Sequence, residues 1–101
     1  MNEFTLIGTI EELLEPGITM AGIKVQPFLL RVERPCKTTA QKNDVFKVTA
    51  FKELADEVTA TKRVGDKVMV HGRLQDNNYQ KNDVTYFSNE LVAYTVLKIA
   101  E

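Results

Sequence analysis

The chain has 101 residues, of which 44% are hydrophobic and 27% charged, and its net charge is −1. This length accommodates one domain with a modest core, and no apolar run approaches the roughly 18 to 20 residues of a membrane span. A single cysteine and a single histidine exclude an internal disulfide and a zinc site. The N-terminus lacks the basic and apolar regions of a secretory signal. We therefore expect one cytoplasmic domain over residues 1–101, without metal or cofactor.

The first two predicted strands cover residues 4–10 and 23–34. In the first, Phe4, Leu6, Gly8 and Ile10 share one face. A glycine in mid-strand predicts a bulge or the close approach of another backbone. The second strand contains Pro27, which lacks a ladder donor, and we expect this residue at an edge or a bulge.

The third predicted strand, residues 45–51, follows a polar loop over residues 35–44. Its apolar side chains alternate, so that Phe46, Val48 and Ala50 face a core while Lys47 and Phe51 lie on the opposite face. A cation beside an exposed aromatic ring is a pattern that favours nucleic-acid binding, because the cation can contact phosphates and the ring can stack on bases. The same alternation is typical of a half-buried strand in a β-sandwich, so this segment alone leaves both interpretations open.

After residue 51 the apolar period changes from two to about 3.6, which predicts a short amphipathic helix over residues 52–61. A Gly-Asp turn then leads into a fourth strand over residues 67–75. Residues 76–83 are turn-rich, and residues 84–97 complete the pattern as one long last strand. The order β-β-β-α-β-β predicts an all-β OB-fold, a five-stranded Greek-key barrel with one helix between strands three and four.

Several sequence blocks in this order resemble bacterial single-stranded DNA-binding proteins over essentially the whole chain. The blocks are Met1-Asn2 with Leu6-Ile7-Gly8, residues 51–56 (FKELAD), residues 64–75 (VGDKVMVHGRLQ) and residues 90–93 (ELVA). The resemblance implies a protein that binds single-stranded DNA with little sequence preference and protects it in DNA replication, recombination or repair.

The resemblance also implies which residues contact DNA. Phe51 matches the stacking aromatic just before the helix, Tyr79 matches the aromatic of the loop after the fourth strand, and Lys47 matches a basic position on the face of Phe51. Further candidates for stacking, phosphate or rim contacts are Tyr86, Arg31, Arg34, Lys37, Arg73 and Lys81. The alternatives are rings packed in the barrel or at a dimer contact, and cations that are simply solvated.

The chain departs from the family pattern at three places. It has no Trp, Val45 stands where well-studied members carry an aromatic, and Pro35-Cys36 replaces a stacking ring. Because each stacked base contributes about 1–3 kcal/mol, we expect modest affinity. Residues 97–101 do not resemble the acidic tip of family members, so we expect no recruitment of replication proteins by that route.

Two further expectations concern partners and chemistry. Strand one has apolar residues on both faces and a free edge, which predicts a homodimer through Phe4, Leu6, Ile7 and Ile10, or a tetramer as the resemblance implies. His71 has no nucleophile or carboxylate at catalytic spacing, so we expect no enzyme. The alternative function is an OB-fold interaction module, such as a primosome-type accessory protein that binds a partner protein first and DNA weakly.

Overall fold

The computed structural model describes residues 1–35 and 43–99, which form eight strands and one helix. In chain order the elements are β1 (Phe4–Leu13), β2 (Gly17–Ile18), β3 (Lys24–Glu33), β4 (Asn43–Phe51), α1 (Glu53–Thr61), β5 (Lys67–Asp76), β6 (Tyr79–Lys81), β7 (Val84–Tyr86) and β8 (Asn89–Lys98). Within these described ranges, no helix is long and apolar enough to cross a membrane.

The five long strands close into a barrel. They are hydrogen-bonded in the order β1-β5-β8-β4-β3, and β3 pairs with β1 to complete the circle. The β4–β8 pairing is parallel and the other pairings in the barrel are antiparallel. Helix α1 lies between the third and fourth barrel strands in the chain and packs against β3, β4 and β8. The predicted five-stranded barrel with one helix is confirmed.

The core lies inside this barrel and is built from alternate residues of each strand, because successive side chains of a strand point to opposite faces. Of the β4 residues predicted to face the core, Val48 and Ala50 are fully buried and Phe46 is partly buried. Phe28 and Leu30 of β3 are also fully buried. Other residues of this core are Ile10, Val58, Val68, Val70, Ala93 and Val96. Val58 comes from α1, so the helix contributes to the same core.

Two glycines allow neighbouring strands to approach closely. A Cβ atom at Gly8 would lie 2.4 Å from the carbonyl oxygen of Arg31, and one at Gly72 would lie 1.9 Å from the carbonyl oxygen of Val92. Gly72 also follows the position where the β5–β8 register shifts. The predicted close approach at Gly8 is therefore confirmed, and both sites exclude any larger residue.

Pro27 lies inside β3, paired with Thr49 of β4, and not at a sheet edge. On its other side its carbonyl oxygen accepts a hydrogen bond from the Leu14 N–H, 3.0 Å away. The side-chain amide of Gln26 donates to the Leu14 carbonyl oxygen at 2.7 Å, and Thr59 of α1 donates to the Gln26 Oε1 atom at 2.8 Å. Proline has no N–H to donate to the Leu14 carbonyl oxygen, and the buried Gln26 amide donates to that oxygen instead.

The last predicted strand is interrupted. Residues of β6 and β7 form a separate two-stranded hairpin, in which Tyr79 pairs with Tyr86 and Lys81 with Val84. Its turn residues Asn82 and Asp83 have φ angles of 53° and 63°, the left-handed conformation that a two-residue type I′ turn requires. The predicted single strand over residues 84–97 and the turn over residues 76–83 are therefore wrong in this detail.

Candidate nucleic-acid interface

The outer face of β3 and β4 carries the residues that the sequence analysis assigned to the ligand side. Register sets four cross-strand pairs on this face, namely Arg31–Val45, Leu29–Lys47, Pro27–Thr49 and Val25–Phe51. Residues paired directly across an antiparallel sheet have neighbouring Cβ atoms, so the face is a continuous surface. It is mostly apolar, with a cation on each strand.

Phe51 ends β4 and borders a cleft of about 640 Å³. Arg73 of β5 lines the same cleft, although the two residues are far apart in the sequence. Phe51 and Arg73 are both half-buried, and the Arg73 guanidinium makes no hydrogen bond or ion pair with any residue in the described ranges. Other lining residues are Ile23, Lys52, Glu53, Leu54, Gln75, Val92, Ala93 and Tyr94.

Lys52, the residue that joins Phe51 to α1, has a strained backbone. Its φ and ψ angles are 58° and −129°, a region that glycine adopts far more readily than lysine. Its N–H donates to the carbonyl oxygen of Lys24 at 2.9 Å, which holds this conformation in place. The sharp turn directs the chain from β4 into the helix immediately after Phe51, and so fixes the position of the ring.

Lys47, on the same strand face as Phe51, lies beside the base of the β6–β7 hairpin. It shares a cleft of about 190 Å³ with Asn77, Ser88 and other residues. The hairpin base is closed by a hydrogen bond from the Asn77 N–H to the Ser88 carbonyl oxygen at 2.8 Å. The Lys47 ammonium is exposed, and it forms no ion pair with the part of the chain that the structure describes.

The hairpin carries exposed aromatic rings. Tyr79 and Tyr86 stack on each other, with ring centroids 5.0 Å apart and planes 13° apart. Phe87 directly follows β7 and is 83% exposed, although the sequence analysis did not select it. Lys81 lies at the turn end of the hairpin, also exposed. The candidate interface thus has two aromatic regions, Phe51 and the hairpin, with Lys47 at the hairpin base.

The comparison with protein families decides which kind of barrel this is. The model of the single-strand binding protein family matches residues 1–99. The chain belongs to the single-strand binding protein family. This membership identifies the barrel as an OB-fold and supports binding of single-stranded DNA, and the family is a non-enzymatic one. A search of curated proteins found no match.

Two predicted phosphate contacts of this family member are already paired with carboxylates. Arg31 lies 3.4 Å from Glu11 and Arg34 lies 2.7 Å from Asp44. The hydrogen bond between Arg34 and Asp44 raises the pKa of the guanidinium and lowers that of the carboxyl. The predicted contact Lys37 lies outside the described residues. Arg31 and Arg34 can therefore bind a phosphate only in competition with their carboxylate partners.

His71 lies on the outer face of β5, two residues before Arg73. Its Nδ1 atom is 3.0 Å from the Thr5 hydroxyl oxygen and its Nε2 atom is 3.6 Å from a Glu3 carboxylate oxygen. The Tyr94 ring is also nearby, with centroids 6.3 Å apart. Among the described residues no group of three or more His, Cys, Asp or Glu side chains has the geometry to hold a metal ion.

Proposed function

We propose that this protein binds single-stranded DNA with little sequence preference and protects it during DNA replication, recombination or repair, as one domain in the cytoplasm. The observation that supports this most is the position of Lys47. It lies on the same strand face as Phe51 and beside the base of the hairpin that carries Tyr79 and Tyr86. An unpaired cation between two aromatic regions suits a strand that alternates phosphates and bases.

The contacts divide between the two parts of each nucleotide. Bases stack on the Phe51 ring and on the outer faces of the Tyr79–Tyr86 pair, and stacking tolerates any sequence because every base has a π-face. Phosphates contact Lys47 and Lys81, which have no carboxylate partner in the described ranges. Arg31, Arg34 and Lys37 are proposed as rim contacts.

The affinity of one protomer is proposed to be modest. Val45 is 49% exposed on the ligand face, at the position where well-studied relatives carry an aromatic ring. An aliphatic side chain cannot replace a stacked base contact, which contributes about 1–3 kcal/mol. Assembly compensates for this, because several linked sites on one strand raise the effective affinity.

We propose that the protein forms a homodimer or homotetramer through β1. Residues 4–8 of β1 pair with β5 on one side, whereas pairing with β3 begins at Thr9, so within the described ranges this half of β1 has one neighbouring strand. Of the four residues proposed for this contact, Ile10 is fully buried, and Phe4 and Leu6 are partly buried against the core. Ile7 is 52% exposed and is the residue left to pack across such an edge.

The test measures binding of fluorescent oligo-dT to variants of the proposed face. Phe51→Ala should weaken binding by about 1–3 kcal/mol. Met20→Ala serves as the control, because Met20 is fully exposed in the turn after β2, and it should bind like the wild type. If the wild type binds no oligo-dT but binds a replicative helicase, the interaction-module alternative replaces the proposal.

A further inference from the structure

The cleft beside Phe51 offers more than a stacking surface. Arg73 and Gln75 line this cleft, and Glu53 lines it as well. We propose that this cleft receives one unstacked nucleobase and that Arg73, assisted by Gln75, hydrogen-bonds to its edge and favours guanine. The inference rests on the proposed binding of single-stranded DNA and adds a base preference at one position of that site.

Strand β5 presents Arg73 and Gln75 side by side. The two residues are separated by one residue, so both stand on the outer face of the strand, about 7 Å apart along it. Their partners across the sheet are Val92 and Glu90 of β8. Gly72 and Leu74, which alternate with them, have the opposite orientation. The pair thus forms a polar wall, and the apolar side chain of Val92 lines the cleft next to it.

Arg73 differs from the other arginines of the chain. Arg31 and Arg34 donate to carboxylates, and Arg63 donates to the carbonyl oxygens of Ala60 and Lys62. Arg73 has no such partner among the described residues, although it is half-buried. Among the described residues no buried side-chain nitrogen or oxygen lacks a hydrogen bond, so the unpartnered Arg73 guanidinium reaches solvent and is free to donate to a ligand in the cleft. Gln75 is likewise without a side-chain partner in the described ranges.

The donor and acceptor pattern selects guanine. The planar guanidinium has donors only, and its fork matches the adjacent O6 and N7 acceptors of guanine. Adenine presents an amino donor beside N7, so it cannot accept both hydrogen bonds, and it suits a glutamine amide instead. Guanine also has an N2 amino donor, for which the Glu53 carboxylate is an acceptor in the same cleft. The Phe51 ring provides the stacking surface.

The experiment uses labelled oligonucleotides of about eight nucleotides, within the range that one OB-fold covers. One is dT throughout, and in two others a single central thymine is replaced by guanine or by adenine. The guanine oligonucleotide should bind about 5-fold more tightly than the other two, the lower end for a bidentate base contact. Arg73→Lys keeps the charge but lacks the planar fork, and should reduce the ratio of guanine to dT affinity to about one, whatever its effect on oligo-dT binding itself.

The outcomes separate the two proposals. Absence of oligo-dT binding by the wild type would overturn the proposed function itself. Equal binding of all three oligonucleotides, or a preference for adenine, would overturn the base-pocket inference and leave the proposed function standing. A guanine preference that survives Arg73→Lys would also overturn it. Lys47→Ala is the matched control, which should weaken all three by the same factor and preserve the preference for guanine.

Discussion

Tyr79 and Tyr86 lie directly across the β6–β7 hairpin from each other and stack, with ring centroids 5.0 Å apart. Each ring therefore covers one face of the other, and a base can stack only on the outer faces of the pair. The stack also links the two strands of a short hairpin, because an aromatic cross-strand pair stabilises a sheet by about 0.2–1 kcal/mol. The two tyrosines thus act as one unit in stability and in binding.

This relationship predicts non-additive mutations. Tyr79→Ala and Tyr86→Ala should each weaken oligo-dT binding by about 1–3 kcal/mol. The double variant should lose clearly less binding free energy than the two single variants lose together, since each single change already disrupts the shared stack. A double-mutant cycle measured by fluorescence titration checks this, and strictly additive losses would show that the rings bind independently.

Replacement of Lys47 and replacement of Phe51 should change the salt dependence of oligo-dT binding differently. Lys47→Ala should reduce the magnitude of the slope of log K against log salt by about 0.7, the value for one phosphate of a single strand. Phe51→Ala should weaken binding with the slope almost unchanged, because stacking releases no counterions. Titration of oligo-dT at several salt concentrations measures both slopes.

Thermal melting is the control for this pair of variants. Phe51 is only half-buried, whereas removal of a core phenylalanine ring costs about 3–5 kcal/mol. A large drop in Tm for Phe51→Ala would show that the ring is structural. A stable Phe51→Ala, Tyr79→Ala double variant with unchanged affinity would show that DNA binds another face.

The strained backbone of Lys52 predicts a stabilising substitution. A residue held in a sparsely populated φ/ψ region costs about 1–3 kcal/mol, and glycine adopts positive φ without that cost. Glycine loses more conformational entropy on folding than lysine, and this offsets part of the relieved strain. Lys52→Gly should therefore raise the free energy of unfolding by about 1 kcal/mol. Urea denaturation checks this against Lys52→Ala, which keeps the strain and should bring no gain. A lower urea midpoint for Lys52→Gly would contradict the assignment.

Low pH should lower the free energy of unfolding, because it protonates the Asp66 carboxylate. Its carboxylate accepts a hydrogen bond from the Arg63 N–H at 2.9 Å and lies 3.5 Å from the Lys98 ammonium. The backbone hydrogen bond from Arg63 lowers the pKa of Asp66 below its ordinary value. A lowered pKa in the folded state means that the charged form stabilises the fold. This contribution is complete above the ordinary pKa of about 4 and is lost as the pH falls through the lowered value.

The test of this pH dependence compares Asp66→Asn with the wild type in urea denaturation at pH 7 and at pH 3. The variant should be the less stable at pH 7, and the difference should shrink at pH 3. Asp56→Asn removes a charge of the same sign from an exposed ion pair with Lys24 and controls for net charge. A difference that is equal at both pH values would contradict the role of the Asp66 charge.

Assembly through β1 should depend on Ile7. Light scattering at micromolar concentration should give a mass at least twice the 11.4 kDa of one chain. Ile7→Lys places a charge at the proposed contact and should shift the mass toward the monomer. Ile18→Lys is the matched control, since Ile18 is also exposed but lies on β2. A wild-type monomer would contradict the proposed assembly.

Alternating hydrophobicity predicted the barrel because its strands are half-buried. Val48 and Ala50 are in the core, while Lys47 lies on the outer face, as their spacing indicates. Similarly, the change of apolar period after residue 51 predicted α1, whose Ala55 and Val58 are buried and whose Leu54 is partly buried. These are local patterns, and one buried face is enough to produce them.

The sequence could not show contacts between distant segments. Glu11 and Asp44 neutralise two of the predicted phosphate contacts only because β1 and β4 each lie next to β3. The hairpin was not predicted because its turn residues, Asn82 and Asp83, lie within a longer polar segment that was assigned as a turn. Phe87 was missed for the same reason, although an aromatic residue next to Tyr86 was a usable signal. The functional roles of Phe51, Tyr79 and Lys47 stay predictions.

The most direct test of single-strand binding compares labelled oligo-dT with duplex DNA of equal length at about 50 and 200 mM salt, the range over which phosphate contacts lose most affinity. Oligo-dT should bind more tightly than the duplex at both concentrations, because the stacking contacts need unpaired bases and are not weakened by salt. Equal or tighter binding of the duplex, or loss of all oligo-dT binding at the higher salt concentration, would contradict an interface built on base stacking.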